Sequence, residues 1–292
     1  MSTQTAVTEA PARESALRRW VFEPLPLARV AVLRVFVYLF VVYDMFFVVA
    51  DPPALSRNSD LLYRPIDLRE ILHLPTPFPG YVYTLRVLVI LGCLLMVLSA
   101  FRRIPAWLTL TAGLLVAAAF TDWVSVGMSY SKIDHDHFPL IAALWLLPTV
   151  GAARANDRRT RSEAAGWALL AIQIACVATY FLSTVAKIRF GGWDWVTGST
   201  FAWAMTRRGT GLGRAMLEPP WILTASQFLI FAVELLSPLL LVARGRLRYL
   251  MILGFMLFHL STYLTLKIHF LPLVVCLLAF LPLEKLVRKS NH

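Results

Sequence analysis

The side chains able to do chemistry in this chain are few, and they sit where apolar sequence makes them costly. Lys187 closes an apolar run that begins near Gly166, in the stretch Tyr180–Ser199 (YFLSTVAKIRFGGWDWVTGS). An ammonium there must snorkel to an interface, pair with an opposite charge, or lose its proton to dry surroundings. Only the third makes the lysine a base for catalysis. Gln173, Tyr180 and Lys187 follow one another at seven-residue steps. At 3.6 residues per turn, seven residues return to nearly the same helix face. The spacing therefore predicts one polar stripe, which must face protein or a wet cavity rather than lipid.

A second group surrounds His137, in Lys132-Ile-Asp-His-Asp-His137. Two histidines two residues apart, with Asp134 and Asp136, have some metal-site character. No helical i,i+4 pair and no cysteine partner joins them, so no metal is expected. His137 reads either as a hydrogen-bonding histidine at an interface or as part of a site. His259, His269 and Asp122 are polar residues near the same ends of apolar runs. With Lys187, His137, Tyr180, Trp193 and Trp195 they are expected to gather around one cavity. Arg34, Asp44, Arg86 and Glu234 also fall inside apolar runs and are expected to be structural ion pairs or snorkelling groups. Glu234 needs a partner or a proton, and the pattern names neither.

These residues must be positioned by membrane helices. Of 292 residues, 58% are hydrophobic and 15% charged, and the mean hydropathy is +0.66. Soluble domains carry about 25% charged residues. The fold class expected is all-α, a polytopic integral membrane helix bundle of about eight spans. Their expected bounds are Leu27–Ala50, Tyr81–Phe101, Pro105–Met128, Phe138–Ala152, Gly166–Ile188, Trp221–Ala243, Leu247–Leu266 and Phe270–Leu283. The organisation is then a polar tail at 1–26, a transmembrane domain at 27–284 and a basic tail at 285–292. A short helix is expected at Asp67–Leu74, and an interfacial one at Trp195–Arg207.

With eight spans, the arginine groups near residues 13–19, 102–103, 154–161 and 244–248 and the basic tail all lie on one side. The positive-inside rule makes that side cytoplasmic. A multi-pass protein of the plasma (inner) membrane follows, with both termini cytoplasmic and Lys187 near the outer side. The formal net charge of +11 has this simpler explanation, so no nucleic acid is expected as a partner; membrane lipids are. Cys93, Cys176 and Cys276 all lie within apolar runs and read as small core hydrophobes.

The stretch Tyr180–Ser199 also resembles the vitamin K-dependent gamma-carboxylase family and its bacterial relatives, the HTTM (horizontally transferred transmembrane) domain proteins. The residues that carry the resemblance are Tyr180, Phe181, Ser183, Ala186, Lys187, Trp193 or Trp195, and Gly198. Further matches are Asp136-His137-Phe138-Pro139-Leu140 followed by Pro148 and the Arg154–Arg161 loop, Arg34 in the first span, and Phe258-His259 followed by Ile268 and Phe270. Asp136 stands where the family has Asn. The resemblance spans about Leu27–Leu283. It implies oxidation by O2 of reduced vitamin K or another quinol, with Lys187 as the base and His137 stabilising developing negative charge. In the family the strong base so formed deprotonates a peptide glutamate, which then adds CO2. Carboxylases continue into a large soluble region that helps bind the peptide. This sequence has little mass for one, so quinol chemistry is the firmer expectation and a peptide substrate the weaker.

Three classes of function stay open on the sequence. One is a membrane enzyme acting on a quinol-type lipid through Lys187 and His137. Another is a non-catalytic membrane protein that binds a lipid or a partner, such as a maturation or immunity factor. The third is a small transporter, although no inverted halves or broken pair of spans stands out.

Overall fold

Apolar runs in a membrane become helices because only a helix satisfies its own backbone hydrogen bonds without water. The computed structural model of the chain describes residues 15–287. The outer parts of the two expected tails, residues 1–14 and 288–292, lie outside the described residues. Nine helices position the site: α1 (Leu27–Phe47), α2 (Pro79–Ser99), α3 (Ala106–Ser129), α4 (Phe138–Leu146), α5 (Glu163–Gly191), α6 (Thr200–Arg208), α7 (Pro220–Leu235), α8 (Gly245–Leu266) and α9 (Leu271–Cys276). Pro79, Pro139, Pro220 and Pro272 each stand in the first turn of a helix, where the missing N–H has no partner to lose. Within the tail expected to be polar, Ala16–Val21 forms a short helix. The tail then pairs Leu25–Pro26 antiparallel with Arg161–Ser162.

Five helices, α1, α2, α3, α5 and α8, are long and apolar enough to cross a membrane. The other three expected spans are shorter and broken. α4 rises only about 14 Å before a 3-10 turn at Leu147–Val150 that contains Pro148. α7 stops at Leu235 and resumes as a single turn, Leu239–Val242, beyond Pro238. α9 passes into a 3-10 turn at Leu277–Phe280. Proline removes a ladder donor and clashes with the preceding turn, which explains the first two breaks. Such short elements are tolerated at membrane depth where protein encloses them. In α4 and its turn, Leu140, Ala143, Leu144 and Leu147 are completely buried.

The core runs between α1, α2 and α3 on one side and α4, α5 and α9 on the other. Gly92 of α2 lies against Val116 of α3, and Gly113 of α3 against Pro148; a Cβ at either glycine would collide with that neighbour. Small residues at such crossings let backbones approach closely, the main source of helix association in lipid. Arg34 is fully buried in α1. Its Nη2 donates to the carbonyls of Leu147 at 2.6 Å and Gly151 at 2.8 Å. A cation thus meets the carbonyl end of the short α4 segment, where the helix dipole favours it. Gly151 has φ +75°, a conformation glycine adopts without a Cβ penalty.

The loop between α1 and α2 is irregular except for small helices, one of them at Asp67–Ile71 where a short helix was expected. Arg69 ties this loop to the bundle. Its side chain is buried and ion-paired with Asp122 of α3. It also donates to Ser125 Oγ at 2.9 Å, the Tyr63 hydroxyl at 2.9 Å and the Pro75 carbonyl at 2.7 Å. At the opposite, arginine-rich end of the bundle, Arg29 grips Glu284 through Nε at 2.7 Å and Nη2 at 2.8 Å.

Two predictions follow from these locks. Arg69→Ala leaves the Asp122 carboxylate buried without its cation and is expected to destabilise the fold by about 3 to 5 kcal/mol. Thermal unfolding in detergent measures it, and an unchanged midpoint would show that the loop does not depend on Arg69. The second concerns acid. Burial acts to raise the Glu284 carboxyl, but the Arg29 hydrogen bonds outweigh it and hold its pKa below the ordinary value. A depressed folded pKa gives stability that is present above the unfolded value of about 4.3. That stability is lost as pH falls through the folded pKa. Glu284→Gln should therefore flatten the acid limb of a stability–pH profile while lowering stability at neutral pH.

Candidate functional site

Lys187 projects from the last turns of α5 and meets a carboxylate. Its Nζ is ion-paired with Glu234 near the end of α7, donates to Ser183 Oγ one turn back at 3.0 Å, and lies 4.8 Å from the centre of the Trp195 ring. Thr184 Oγ1 donates to the same Glu234 carboxylate oxygen at 3.3 Å. Glu234 lies 14 residues into α7, about 21 Å from its start. The amine is thus flanked by the last turns of α7 and by the linker that carries Trp195. Its side chain keeps 17% exposure and that of Glu234 6%.

The polar stripe along α5 faces protein, as its spacing predicts. Gln173 Nε2 donates to the Ala279 carbonyl at 2.9 Å. Tyr180 is buried, stacked on Phe255 with centroids 4.3 Å apart, and its hydroxyl lies 2.6 Å from His259 Nε2. His259 Nδ1 is buried and has no hydrogen-bond partner among the described residues. Lys187, Glu234, Tyr180 and His259 line one cavity of about 290 Å³ between α5, α7 and α8. Its walls are mainly apolar and aromatic, from Trp195, Phe201, Phe258 and Phe270. His135 and Ser183 add polar atoms. Two polar stations result, an amine–carboxylate pair and a phenol–imidazole pair. They are seven residues apart on α5, or about 10 Å.

The remaining expected site residues lie elsewhere. His137 is buried beside α1, with Nε2 3.2 Å from Asp44 Oδ2 and Nδ1 3.5 Å from Asp136 Oδ1. Burial acts against its imidazolium, but the two carboxylates outweigh that and raise its pKa to about 10. It does not line the Lys187 cavity; His135, two residues earlier, does. Asp122 serves the Arg69 lock and accepts from Tyr81. His269 lines a neighbouring cavity of about 360 Å³, which shares His259 and Phe270 with the first. Trp193 is 65% exposed and packs on Phe231. Trp195, Tyr180 and His259 line the cavity together with Lys187.

Sequence reasoning left Glu234 without a partner and gave Gln227 no role. Gln227 is buried on α7. Its Oε1 accepts from the Phe201 N–H at 2.8 Å. Its Nε2 donates to the carbonyls of Val196 at 2.7 Å, Gly198 at 3.0 Å and Trp195 at 3.2 Å. One amide therefore templates the linker that holds Trp195 over the lysine. The signal was there in kind: Gln227 and Glu234 stand seven residues apart in one apolar run, the same stripe spacing as in α5. A scan against family models, a search of curated proteins and a search of solved structures found no match.

Gln227→Leu leaves three linker carbonyls and one N–H without this partner, at a cost of about 1 to 3 kcal/mol for each group left buried and unpaired. Amide hydrogen exchange over residues 195–201 should accelerate while α1 to α3 stay protected. Unchanged exchange would show that the linker holds its place without this amide.

Proposed function

We propose that the chain is an eight-span membrane protein of the HTTM, gamma-carboxylase-like kind, and that its Lys187 cavity deprotonates a quinol-type lipid. The observation that carries this reading is the composition of the cavity: aromatic walls around a lysine amine partnered by a carboxylate. The three shorter apolar segments, around α4, α7 and α9, complete the eight spans. The pairing of Leu25–Pro26 with Arg161–Ser162, and of Arg29 with Glu284, supports both termini lying at the arginine-rich end. By the positive-inside rule that end is cytoplasmic, which puts the Lys187 cavity towards the outer side of a plasma (inner) membrane.

The lining suits a flat, lipid-soluble ring with hydroxyl groups. Ligand sites are mostly apolar with a few placed polar atoms, and about 300 Å³ is the lower end of their range. The cavity thus has room for a ring system, with any long chain leaving between helices. The unpartnered Nδ1 of His259 is a further polar atom for such a ligand. When bound, a quinol would supply two electrons towards O2. Lys187 is the base: its proton passes to Glu234, and the freed amine accepts a proton from a ring hydroxyl. Ser183 orients the amine, and Trp195 and Phe201 exclude water. The Tyr180–His259 pair holds the far side of the ring. In this reading His137 acts as a buried ion-pair partner of Asp44, outside the cavity, and the His259 imidazole takes the place beside the ligand.

A non-catalytic lipid-binding role is the second reading. The Lys187–Glu234 pair favours it, because that pair satisfies both charges without any chemistry.

The test uses the full-length protein in nanodiscs with reduced vitamin K and O2. Wild type should consume the quinol, and Lys187→Ala and Lys187→Arg should each slow it by about 10²-fold or more, the scale of a lost general base. Arginine keeps charge and pairing but cannot act as a base. Turnover equal in wild type and both variants would overturn the proposal. No turnover in any of them, together with a co-purifying amphiphile lost in Lys187→Ala, would establish the binding role instead.

A further inference from the structure

A further cavity, of about 590 Å³, lies at the arginine-rich end of the bundle, where α1, α5 and α8 begin. Its wall is mainly polar, unlike that of the Lys187 cavity. Four guanidinium groups line it, those of Arg29, Arg161, Arg244 and Arg248, against the single carboxylate of Glu23. Arg29 is engaged by Glu284. Arg161 directs Nε and Nη2 to the Pro24 carbonyl, at 3.0 and 2.8 Å, which fixes its orientation and leaves Nη1 free of that contact. Arg248 binds the Ala243 carbonyl through Nε at 2.8 Å, leaving both terminal nitrogens. The Arg244 side chain makes no hydrogen bond or ion pair among the described residues.

Two arginines are thus held in place by backbone carbonyls while still presenting donors, and a third is uncommitted. The cleft has depth as well as charge. Gly166 of α5 lies against the Glu23 carbonyl, where a Cβ could not fit. This close approach brings the chain before α1 onto α5 as one wall. Gln173, ten residues into α5 and about 15 Å from its start, also lines the cleft, with Leu170 and Leu241 providing apolar surface. Trp20, of the type that prefers the headgroup region, stands at the same site.

We infer that this cleft binds the phosphodiester headgroup of an anionic phospholipid from the leaflet at the arginine-rich end. Arg161, Arg244 and Arg248 hold the phosphate, and the leucines take the glycerol and first methylenes. Guanidinium forks match phosphate oxygens in charge and geometry. Basic pockets between membrane helices on the cytoplasmic side are suited to such headgroups. A soluble phosphate would use the same arginines but none of the apolar depth. The inference does not depend on any chemistry at Lys187.

The experiment titrates the full-length protein in detergent with dioleoyl phosphatidylglycerol, dioleoyl phosphatidylcholine or inorganic phosphate, and reads bound ligand by native mass spectrometry. Phosphatidylglycerol should bind more tightly than phosphatidylcholine. Arg244→Gln should weaken it about fivefold, and Arg244→Gln with Arg248→Gln roughly 25-fold, at about 1 kcal/mol per arginine. Arg102→Gln with Arg103→Gln removes exposed arginines at the same end of the bundle, outside the cleft, and should change nothing. Arg244→Gln alone breaks no hydrogen bond within the described residues, so its effect is independent of folding. Equal binding of the two lipids would overturn the inference. So would a loss as large in the Arg102 and Arg103 variant, or inorganic phosphate binding as tightly as phosphatidylglycerol.

Discussion

A cation in an apolar bundle must find acceptors, and here the meeting of Lys187 with Glu234 decides how the site end of the molecule is built. An unpaired charge at such a depth costs at least several kcal/mol. The pair draws α7 onto α5. Ser183 and Thr184 supply hydrogen bonds to its two members. With α7 in place, Gln227 two turns earlier is set against the linker after α5 and fixes Trp195 above the amine. The cavity is the space left when these contacts are satisfied and α8 closes the third side with Phe258 and His259.

The same rule operates throughout the bundle. Arg34, Arg69 and Arg29 each sit where a cation would be costly, and each is answered differently. Arg34 meets the carbonyls that end a short helical segment. Arg69 meets a carboxylate, two hydroxyls and a carbonyl. Arg29 meets Glu284 in a two-point grip. Together they secure the parts that helix packing alone would leave loose: the α4 segment, the long loop after α1, and the last turn of the chain described. The polar groups at the Lys187 cavity differ from these. They converge on a space bounded by aromatic rings rather than on one another alone, which is why the functional proposal rests there.

Helix type, approximate bounds and membrane character were legible residue by residue. The runs at 27–47, 79–99, 106–129, 163–191 and 245–266 are continuous and apolar, and each forms a helix close to where the pattern placed it. The seven-residue stripe Gln173, Tyr180, Lys187 correctly implied a face turned to protein, because helical periodicity is a local property. The segments around α4, α7 and α9 were read as spans on hydropathy and on the arginine groups that eight spans place on one side. Hydropathy does not register that Pro148 and Pro238 interrupt the ladder, nor that burial in protein lets an apolar helix be short.

Read along the chain, the residues already implied helices apolar enough to cross a membrane, a face shared by Lys187 and Tyr180, and arginines gathered between apolar runs. Helix packing fixed the rest: Lys187 pairs with Glu234, His259 and His135 stand at its cavity while His137 pairs with Asp44, and Asp122 belongs to Arg69. The reason is physical. Periodicity and hydropathy are set by neighbours along the chain, whereas the partner of a buried charge is set by which helices pack together. Glu234 is 47 residues from Lys187 and Asp44 is 93 from His137, distances over which no local pattern carries information.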